Sequence, residues 1–315
     1  MTLTSACPAP TGGASADFAS LGEIDRAGVA FCTNAYDAAA VTAVQRYRMF
    51  RMQCLMTTLA AVDEAGPPPR ALVSVRLKRL DSIRRKINRG ATRFGLGRMD
   101  DVVGVRVVCP SYRTARSMSC RIRALPQFYR LKDYLDVAHP AATGYRAVHH
   151  IMRFRQPLTE TDGINVRFEI QVRSYYQHQW AVWSESLGES VKEGGGTADV
   201  RRDLRELSDR IARWEEGNPR TVQHRLPVYS GGQDIVVAWR QEAGEPVCYG
   251  FLRDVGRAVQ WLNYLEARYP AERGNALLLV GVTSPGEAPR ILHLTHPLYT
   301  MPRLLAPEYW MPLDS

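Results

Sequence analysis

The sequence predicts an α/β (α+β) fold, a mixed sheet flanked by helices, followed by a small C-terminal α/β domain. Three observations predict it. Short valine-rich runs alternate with stretches of helical period between residues 36 and 216. One run, DDVVGVRVVC (100–109), is apolar on both faces, as a strand inside a sheet must be. Past EEGNPRTVQHRLPVYSGGQD (215–234) the texture changes to short strand-like runs around one helix.

Each element has its own signal. Residues 36–65 carry helical periodicity without Pro or Gly until GPPPR stops the helix. ALVSVRL (71–77) reads as a strand and RLDSIRRKINR (79–89) as a basic helix ending at Gly90. After the strand at 100–109 come a helix near 112–125, the strand FYRLKDYL, the loop DVAHPAAT and a strand from Gly144 to about Arg155. FEIQVRS (168–174) alternates strictly, with Phe168, Ile170 and Val172 on one face and Glu169, Gln171 and Arg173 on the other. A helix from 174 to 188 follows. Another, at 198–216, puts Leu204, Leu207, Ile211 and Trp214 on one side. The C-terminal unit reads as strands near 234–240, 246–251, 276–283 and 290–295 with a helix at 253–269.

The domain reading is therefore a disordered tail over 1–20, a first domain over 21–218, a linker over 219–231 and a small α/β regulatory domain over 232–315. IVVAW and ALLLVGV are apolar enough to give that last unit a core of its own. No apolar run approaches the roughly 20 residues of a membrane span, and the start lacks a basic segment followed by an apolar one. The six cysteines are scattered without a C-x-x-C pair, which disfavours zinc and fits reduced thiols. The expectation is a cytoplasmic protein with no membrane partner.

The net charge of +9 favours polyanionic partners, and its distribution sharpens that. Residues 76–98 hold nine Lys and Arg against Asp81 alone. A solvated helix face mixes signs, so this excess asks for a phosphate ligand or an RNA surface. Arg76 and Lys78 stand at a strand end, with Ser82 and Lys86 at helical i, i+4 spacing, a set suited to a triphosphate. No G-x-x-x-x-G-K-[ST] loop occurs.

Asp101 and Glu169 sit in strand contexts where an unpaired carboxylate is costly. Each could form a structural ion pair, with Arg106 or Arg173 for instance. Together, beside a basic helix, they could instead hold a divalent cation bridging phosphate oxygens. Tyr145 follows a glycine in a loop and could stack on a base or pack as a rim aromatic. His149 and His150 are adjacent on a strand and face opposite ways, His149 on the Tyr145 side.

Five spacings, R-x-K-x-x-x-S-x-x-x-K, D-x-x-G-x-R, K-D-Y, G-Y-x-x-x-H and E-x-Q-x-R followed by W-A, resemble in order the synthetase domain of the RelA/SpoT alarmone enzymes. The resemblance covers residues 40–215. It implies a nucleotidyltransferase-like fold and transfer of pyrophosphate from ATP to a 3′-hydroxyl with release of AMP. By the same resemblance Arg76 and Arg106 sandwich the adenine, and Lys78, Ser82, Lys86 and Arg89 hold the phosphates. Asp101 and Glu169 bind Mg²⁺, Glu169 also serving as a base for the attacking hydroxyl. Tyr145 stacks on the acceptor base, supported by Lys132, His149, Gln171 and Arg173. The family's separate hydrolase domain has no counterpart.

Three departures qualify this. Thr143 stands where the family usually has Asn before G-Y. Ser184 and Glu185 stand where housekeeping members show a Glu-His pair after W-A. WAVWSE and the following basic-acidic helix resemble the toxic branch of small RelA/SpoT proteins, which includes enzymes acting on the 3′-CCA end of tRNA and fused toxin–antitoxin members. Three readings follow: a tRNA-modifying toxin restrained by its C-terminal domain or an antitoxin partner, a (p)ppGpp or (p)ppApp synthetase acting on GDP, GTP or adenine nucleotides, and a catalytically dead RNA-binding module. Intact Asp101, Glu169, Arg76, Lys78 and Tyr145 argue against the last.

Overall fold

The structure is a computed structural model of the chain. It describes residues 20–34, 37–53, 55–89, 95–126, 128–136, 138–153, 167–187, 195–220, 226, 234–239, 248–252, 254–268, 277–282, 288–296, 306–307 and 310–311. Residues 1–19 of the tail expected at 1–20 and most of the linker expected at 219–231 lie outside these residues.

Three helices open the described chain: α1 (Leu21–Thr33), α2 (Ala38–Gln53) and α3 (Leu55–Glu64). They are followed by β1 (Leu72–Leu77), α4 (Leu80–Arg89), β2 (Val103–Cys109), α5 (Tyr112–Ala124), β3 (Phe128–Asp133), β4 (Val148–Arg153) and β5 (Arg167–Ser174). Next are α6 (Tyr175–Ser186) and α7 (Ala198–Gly217), then β6 (Asp234–Trp239), β7 (Cys248–Leu252), α8 (Val255–Arg268), β8 (Leu277–Val282) and α9 (Ala288–Thr295). No described helix is long and apolar enough to cross a membrane.

The eight described strands form one mixed sheet in the order β3-β4-β5-β2-β1-β8-β6-β7, with β2 and β5 parallel and the other pairs antiparallel. The C-terminal strands thus extend the first sheet. β8 pairs with β1 at Ser74, Val75 and Arg76. Of the run IVVAW, Val237 joins the main core, in a single cluster with Ala258, Val259, Leu262 and Leu265 of α8 and with Val73, Val75, Val105 and Ile170, while Val236 packs in a second cluster. A strand edge as apolar as β1 is better satisfied by pairing than by exposure.

A second difference is α9. Residues expected as a strand at 290–295 are helical. Pro289 suits a first helical turn, Ile291 and Leu292 are buried, and Thr295 Oγ1 donates to the Ile291 carbonyl 2.8 Å away. Six residues of mixed polarity do not distinguish a helix from a strand by period alone.

Periodicity decides the two faces of the sheet. Val73, Val75, Leu77, Val103, Val105, Val107, Phe168, Ile170 and Val172 point into the main core, against α2, α3 and α5. Burying each such side chain stabilises the fold by about 1.5–3 kcal/mol. Leu72 and Val108 point the other way and pack with Tyr175, Val236, Ile291 and Leu292, so α6 and α9 cover one end of the second face. The remainder of that face is polar.

Candidate active site

Strand register builds the polar face. Ser74 pairs with Arg106 and Arg76 with Gly104; Gly104 pairs with Glu169 and Arg106 with Gln171. Gln171 in turn pairs with His149, and His149 with Lys132. Paired residues share a face, so Arg76, Arg106, Glu169, Gln171, Arg173, His149 and Lys132 stand on one side across five strands.

At one end lies Asp101, in the turn entering β2. Arg51 of α2, fully buried, fixes that turn by donating to the carbonyls of Met99 and Asp100, both at 3.3 Å. The Asp101 carboxylate takes Lys78 Nζ at 2.9 Å on one oxygen and Lys86 Nζ at 2.7 Å on the other. Burial acts to raise its pKa, but the two ammonium groups prevail and hold it well below the usual carboxylate range. For Lys78 burial prevails over Asp101, and its pKa is lowered.

Along β5 a chain of hydrogen bonds crosses to β4. Arg173 Nη2 donates to Gln171 Oε1 at 2.8 Å, and Gln171 Nε2 donates to Glu169 Oε2 at 2.9 Å. Glu169 Oε1 meets His149 Nδ1 at 2.5 Å, and His149 Nε2 meets the Tyr145 hydroxyl at 3.1 Å. The Arg173 guanidinium, 5.7 Å from the Tyr145 ring centroid, closes the loop. Burial again favours the neutral acid, yet the His149 and Gln171 contacts hold Glu169 below its ordinary pKa against the opposing charge of Asp101.

Farther along β2 and β5 from the two carboxylates the face is cationic. Burial, with Arg173 and Arg76 nearby, lowers the Arg106 pKa to about 9, and Glu185 of α6 acts in the opposite sense. The Nε atoms of Arg106 and Arg173 are buried with no hydrogen-bond partner. His178 of α6 lies in the same field. Burial and these two arginines hold its imidazole neutral, while Nε2 meets the Leu294 carbonyl of α9 at 2.9 Å.

The loop carrying Tyr145 is braced by α7. Arg146, buried, donates to the Asp136 carbonyl (2.6 Å), Ser208 Oγ (3.0 Å) and Asp209 Oδ1 (2.7 Å). Ser208 donates to the Gly144 carbonyl. Gly144 has φ of 88°, and a Cβ there would meet the Arg205 Cα and Ser208 Cβ at 3.2 Å. Glycine is thus required by both backbone and space. Tyr145 packs edge-on to His149 and tilted to Trp180, half-buried.

The structure brings together Asp101 with Lys78 and Lys86 before β2, Ser82 on α4, Arg76 and Glu169 level with Gly104, Arg106 and Arg173 farther along β2 and β5, and Gln171, His149 and Tyr145 in one hydrogen-bonded chain with Glu169. Lys132 is exposed beside His149 on β3, and Arg89 is exposed at the end of α4. The alternative of structural ion pairs with Arg106 and Arg173 needs correction: the acids are partnered by Lys78, Lys86 and His149. At the start of α4, Glu266 of α8 accepts from the Leu80 amide at 3.0 Å. The motif spacings missed Glu185, His178, Arg146 and Glu266. An acid following the tryptophans of WAVWSE is a signal for the first; the others depend on contacts with distant elements.

Among the described residues no group of three or more His, Cys, Asp and Glu forms a metal cage. The donor set still fits Mg²⁺, which takes one or two carboxylates and completes its shell with phosphate oxygens and water. Asp101 and Glu169 are both held ionised, the charge of Asp101 opposing that of Glu169.

Residues 75–187 match the family described as "Region found in RelA / SpoT proteins". Among curated proteins no relative matches. Similar solved structures include the small alarmone synthetase 2 of Bacillus subtilis, 21% identical over 56% of this chain and 95% of that one, with a TM-score of 0.44. The small alarmone synthetase 1 of Bacillus subtilis bound to its product pppGpp is 25% identical over 46% and 74%, with a TM-score of 0.39. A GTP pyrophosphokinase family protein from Streptococcus pneumoniae is 22% identical over 55% and 89%, with a TM-score of 0.42.

Proposed function

We propose that this chain, whose residues 75–187 form a RelA/SpoT-type pyrophosphokinase domain, transfers pyrophosphate from ATP to the 3′-hydroxyl at the CCA end of tRNA. The observation that carries the chemistry is the pair of ionised carboxylates beside one cationic face, the charge of Asp101 acting on Glu169. In this reading Arg76 and Arg106 flank the adenine, their crowded guanidinium groups finding an electron-rich ring to stack on. Lys78, Ser82, Lys86 and Arg89 hold the phosphates. Lys78 and Lys86, engaged by Asp101, are already drawn to the phosphate position.

The acceptor side is the Tyr145 end. Its ring offers a stacking surface, with Lys132, Gln171 and Arg173 on the acceptor's phosphates and sugar. The attacking hydroxyl gives its proton to Glu169, which His149 keeps ionised and oriented. The new bond forms from that oxygen to the β-phosphorus, the bond from the β-phosphorus to the bridging oxygen of AMP breaks, and AMP leaves with the electron pair. Mg²⁺ on Asp101 and Glu169 would neutralise charge on the transferred phosphates. What the side chains contribute is alignment and a fixed field in a partly dry cleft.

The tRNA acceptor is favoured over a free nucleotide by the departures Thr143 and Ser184-Glu185 in the acceptor motifs and by the basic charge. The competing reading, synthesis of (p)ppGpp or (p)ppApp, uses the same residues. One incubation separates them: γ-³²P-ATP offered with bulk tRNA, GDP, GTP and AMP in separate reactions. Label on tRNA alone supports the proposal, and label on GDP or GTP alone replaces it with alarmone synthesis. As a toxin, the chain would need restraint. The contact of α9 on His178, beside Arg106 and Arg173, supports assigning that role to the C-terminal residues or to a protein bound by them.

A further inference from the structure

The helix that would present ATP-binding side chains is capped from far along the chain. Glu266 of α8 accepts the Leu80 amide at 3.0 Å through Oε1 and Arg48 Nη1 of α2 at 2.5 Å through Oε2. Arg48 is fully buried and Glu266 nearly so. Leu80 is the first residue of α4, where amides have no partner inside the helix and a carboxylate also meets the positive end of the helix dipole. Ser82 lies in that first turn, and Lys86 follows one turn later with its ammonium on Asp101. The same unit touches the other ATP-side element, since β8 pairs with β1 at Arg76. Glu266 is held on a helix whose Ala258, Val259, Leu262 and Leu265 are core residues, so its carboxylate is fixed by packing.

We infer that Glu266 is a positioning residue for ATP. Its carboxylate locks the start of α4 and so sets where Ser82 and Lys86 meet the phosphates. This makes the C-terminal α8 part of the ATP-binding half of the protein. The acceptor side does not share the device: Tyr145, His149 and Gln171 stand on β4, β5 and a loop braced by α7. The inference rests on the ATP-binding role proposed for Lys78, Ser82 and Lys86.

Truncating Glu266 alone would leave Arg48 as a lone buried charge, so the test uses two paired replacements in the full chain. Arg48→Met with Glu266→Gln removes the ion pair but keeps an oxygen that accepts from Leu80. Arg48→Met with Glu266→Met removes both. Binding of a methylene analogue of ATP, the Michaelis constant for the acceptor and hydrogen exchange of the α4 amides are measured for each. Expected for the Met–Met pair is about fivefold weaker analogue binding and faster exchange in the first turn of α4, with the acceptor constant unchanged and the Gln variant close to wild type. Equal analogue binding in the two pairs, or equal loss for both ligands, overturns the inference while leaving the enzyme reading intact. A wild-type chain that binds no analogue overturns that reading and this inference with it.

Discussion

Glu169 and His149 face each other across the β4–β5 pair, with Oε1 2.5 Å from Nδ1, and this contact holds a nearly buried acid in its charged form. Burial alone would favour the proton. The acid limb of kcat/KM is therefore expected below the ordinary glutamate value in the wild type. In His149→Phe burial and Asp101 are opposed only by Gln171, the Glu169 pKa rises, and the limb moves to higher pH. A profile from pH 4 to 8 that has the same acid limb in both proteins would remove Glu169 as the base. Glu169→Gln should lower turnover by orders of magnitude at every pH, a barrier increase of several kcal/mol.

Asp101 gathers Lys78 and Lys86 into one point, and its replacement has two effects. Asp101→Asn removes the proposed metal ligand, and it takes from buried Lys78 the Asp101 charge that raises its pKa. Turnover should fall by orders of magnitude and the Mg²⁺ concentration needed for half-maximal rate should rise. A titration of residual activity with MgCl₂ reads both. Near-normal turnover at unchanged Mg²⁺ dependence would leave Asp101 a structural ion pair.

Tyr145 presents its ring through a loop that α7 holds by Arg146, Ser208 and Asp209. Tyr145→Ala should weaken the acceptor by about tenfold or more while ATP changes little, since stacking of a base is worth ~1–3 kcal/mol. Tyr145→Phe loses only the contact with His149 Nε2 and should be mild. Gly144→Ala should resemble Tyr145→Ala, because a side chain at φ 88° also meets α7. Steady-state constants for both substrates decide between a stacking role and a collapsed loop, in which both would worsen.

How much of this was legible follows from where each signal resides. β5 was readable because its alternation is local, and its polar face carries the hydrogen-bonded chain from Arg173 to Glu169. Parity also placed His149 with Tyr145 and turned His150 away, where it meets Ser119 of α5 at 3.0 Å. The partners of the acids were not readable. Lys86 reaches Asp101 across fifteen residues and an intervening turn, and no periodicity encodes that. Arg84 illustrates the reverse error. Counted as part of a phosphate-binding charge excess, its guanidinium lies 4.3 Å from the Phe31 ring centroid and serves packing. The pairing of β8 with β1 was illegible for the same reason: an edge is defined only once the sheet exists.

Glu215 of α7 supplies a pH dependence of stability. Burial raises its pKa to about 7, against the hydrogen bonds from Ser174 and Gln177. Between the ordinary carboxylate value and that point the folded protein holds a proton that the unfolded chain has released. Stability is thus fully present at low pH and declines as pH rises through about 7, by an amount on the order of 3 kcal/mol. Glu215→Gln should flatten the decline, gaining on the wild type at pH 8.5 and matching it near pH 4.5. Urea unfolding at the two pH values tests this; parallel curves would show that Glu215 stays charged in the fold.

The last prediction concerns a chain ended near Gly231. Such a protein lacks β8, so the β1 edge at Ser74–Arg76 loses its partner. It also lacks α8, exposing the core around Val73 and Val75, and Trp310, which packs on Leu204, Leu207 and Ile211. An exposed apolar edge beside an uncovered core promotes association. The truncated protein should aggregate or unfold at lower urea, with little transfer activity. A soluble, cooperatively unfolding and active truncation would show that the sheet is complete without its last three strands. Truncation is therefore a poor test of restraint, because it removes support together with any block. A substitution confined to α9 separates them. Ile291 is 1% exposed, and Ile291→Glu places a charge among Leu72, Val108 and Val236, enough to lift α9 while β8 and α8 stay in place. If α9 restrains the site through His178, the full-length variant should label tRNA faster than wild type and be more toxic in cells. A stable Ile291→Glu protein with wild-type or lower activity would assign α9 to structure alone.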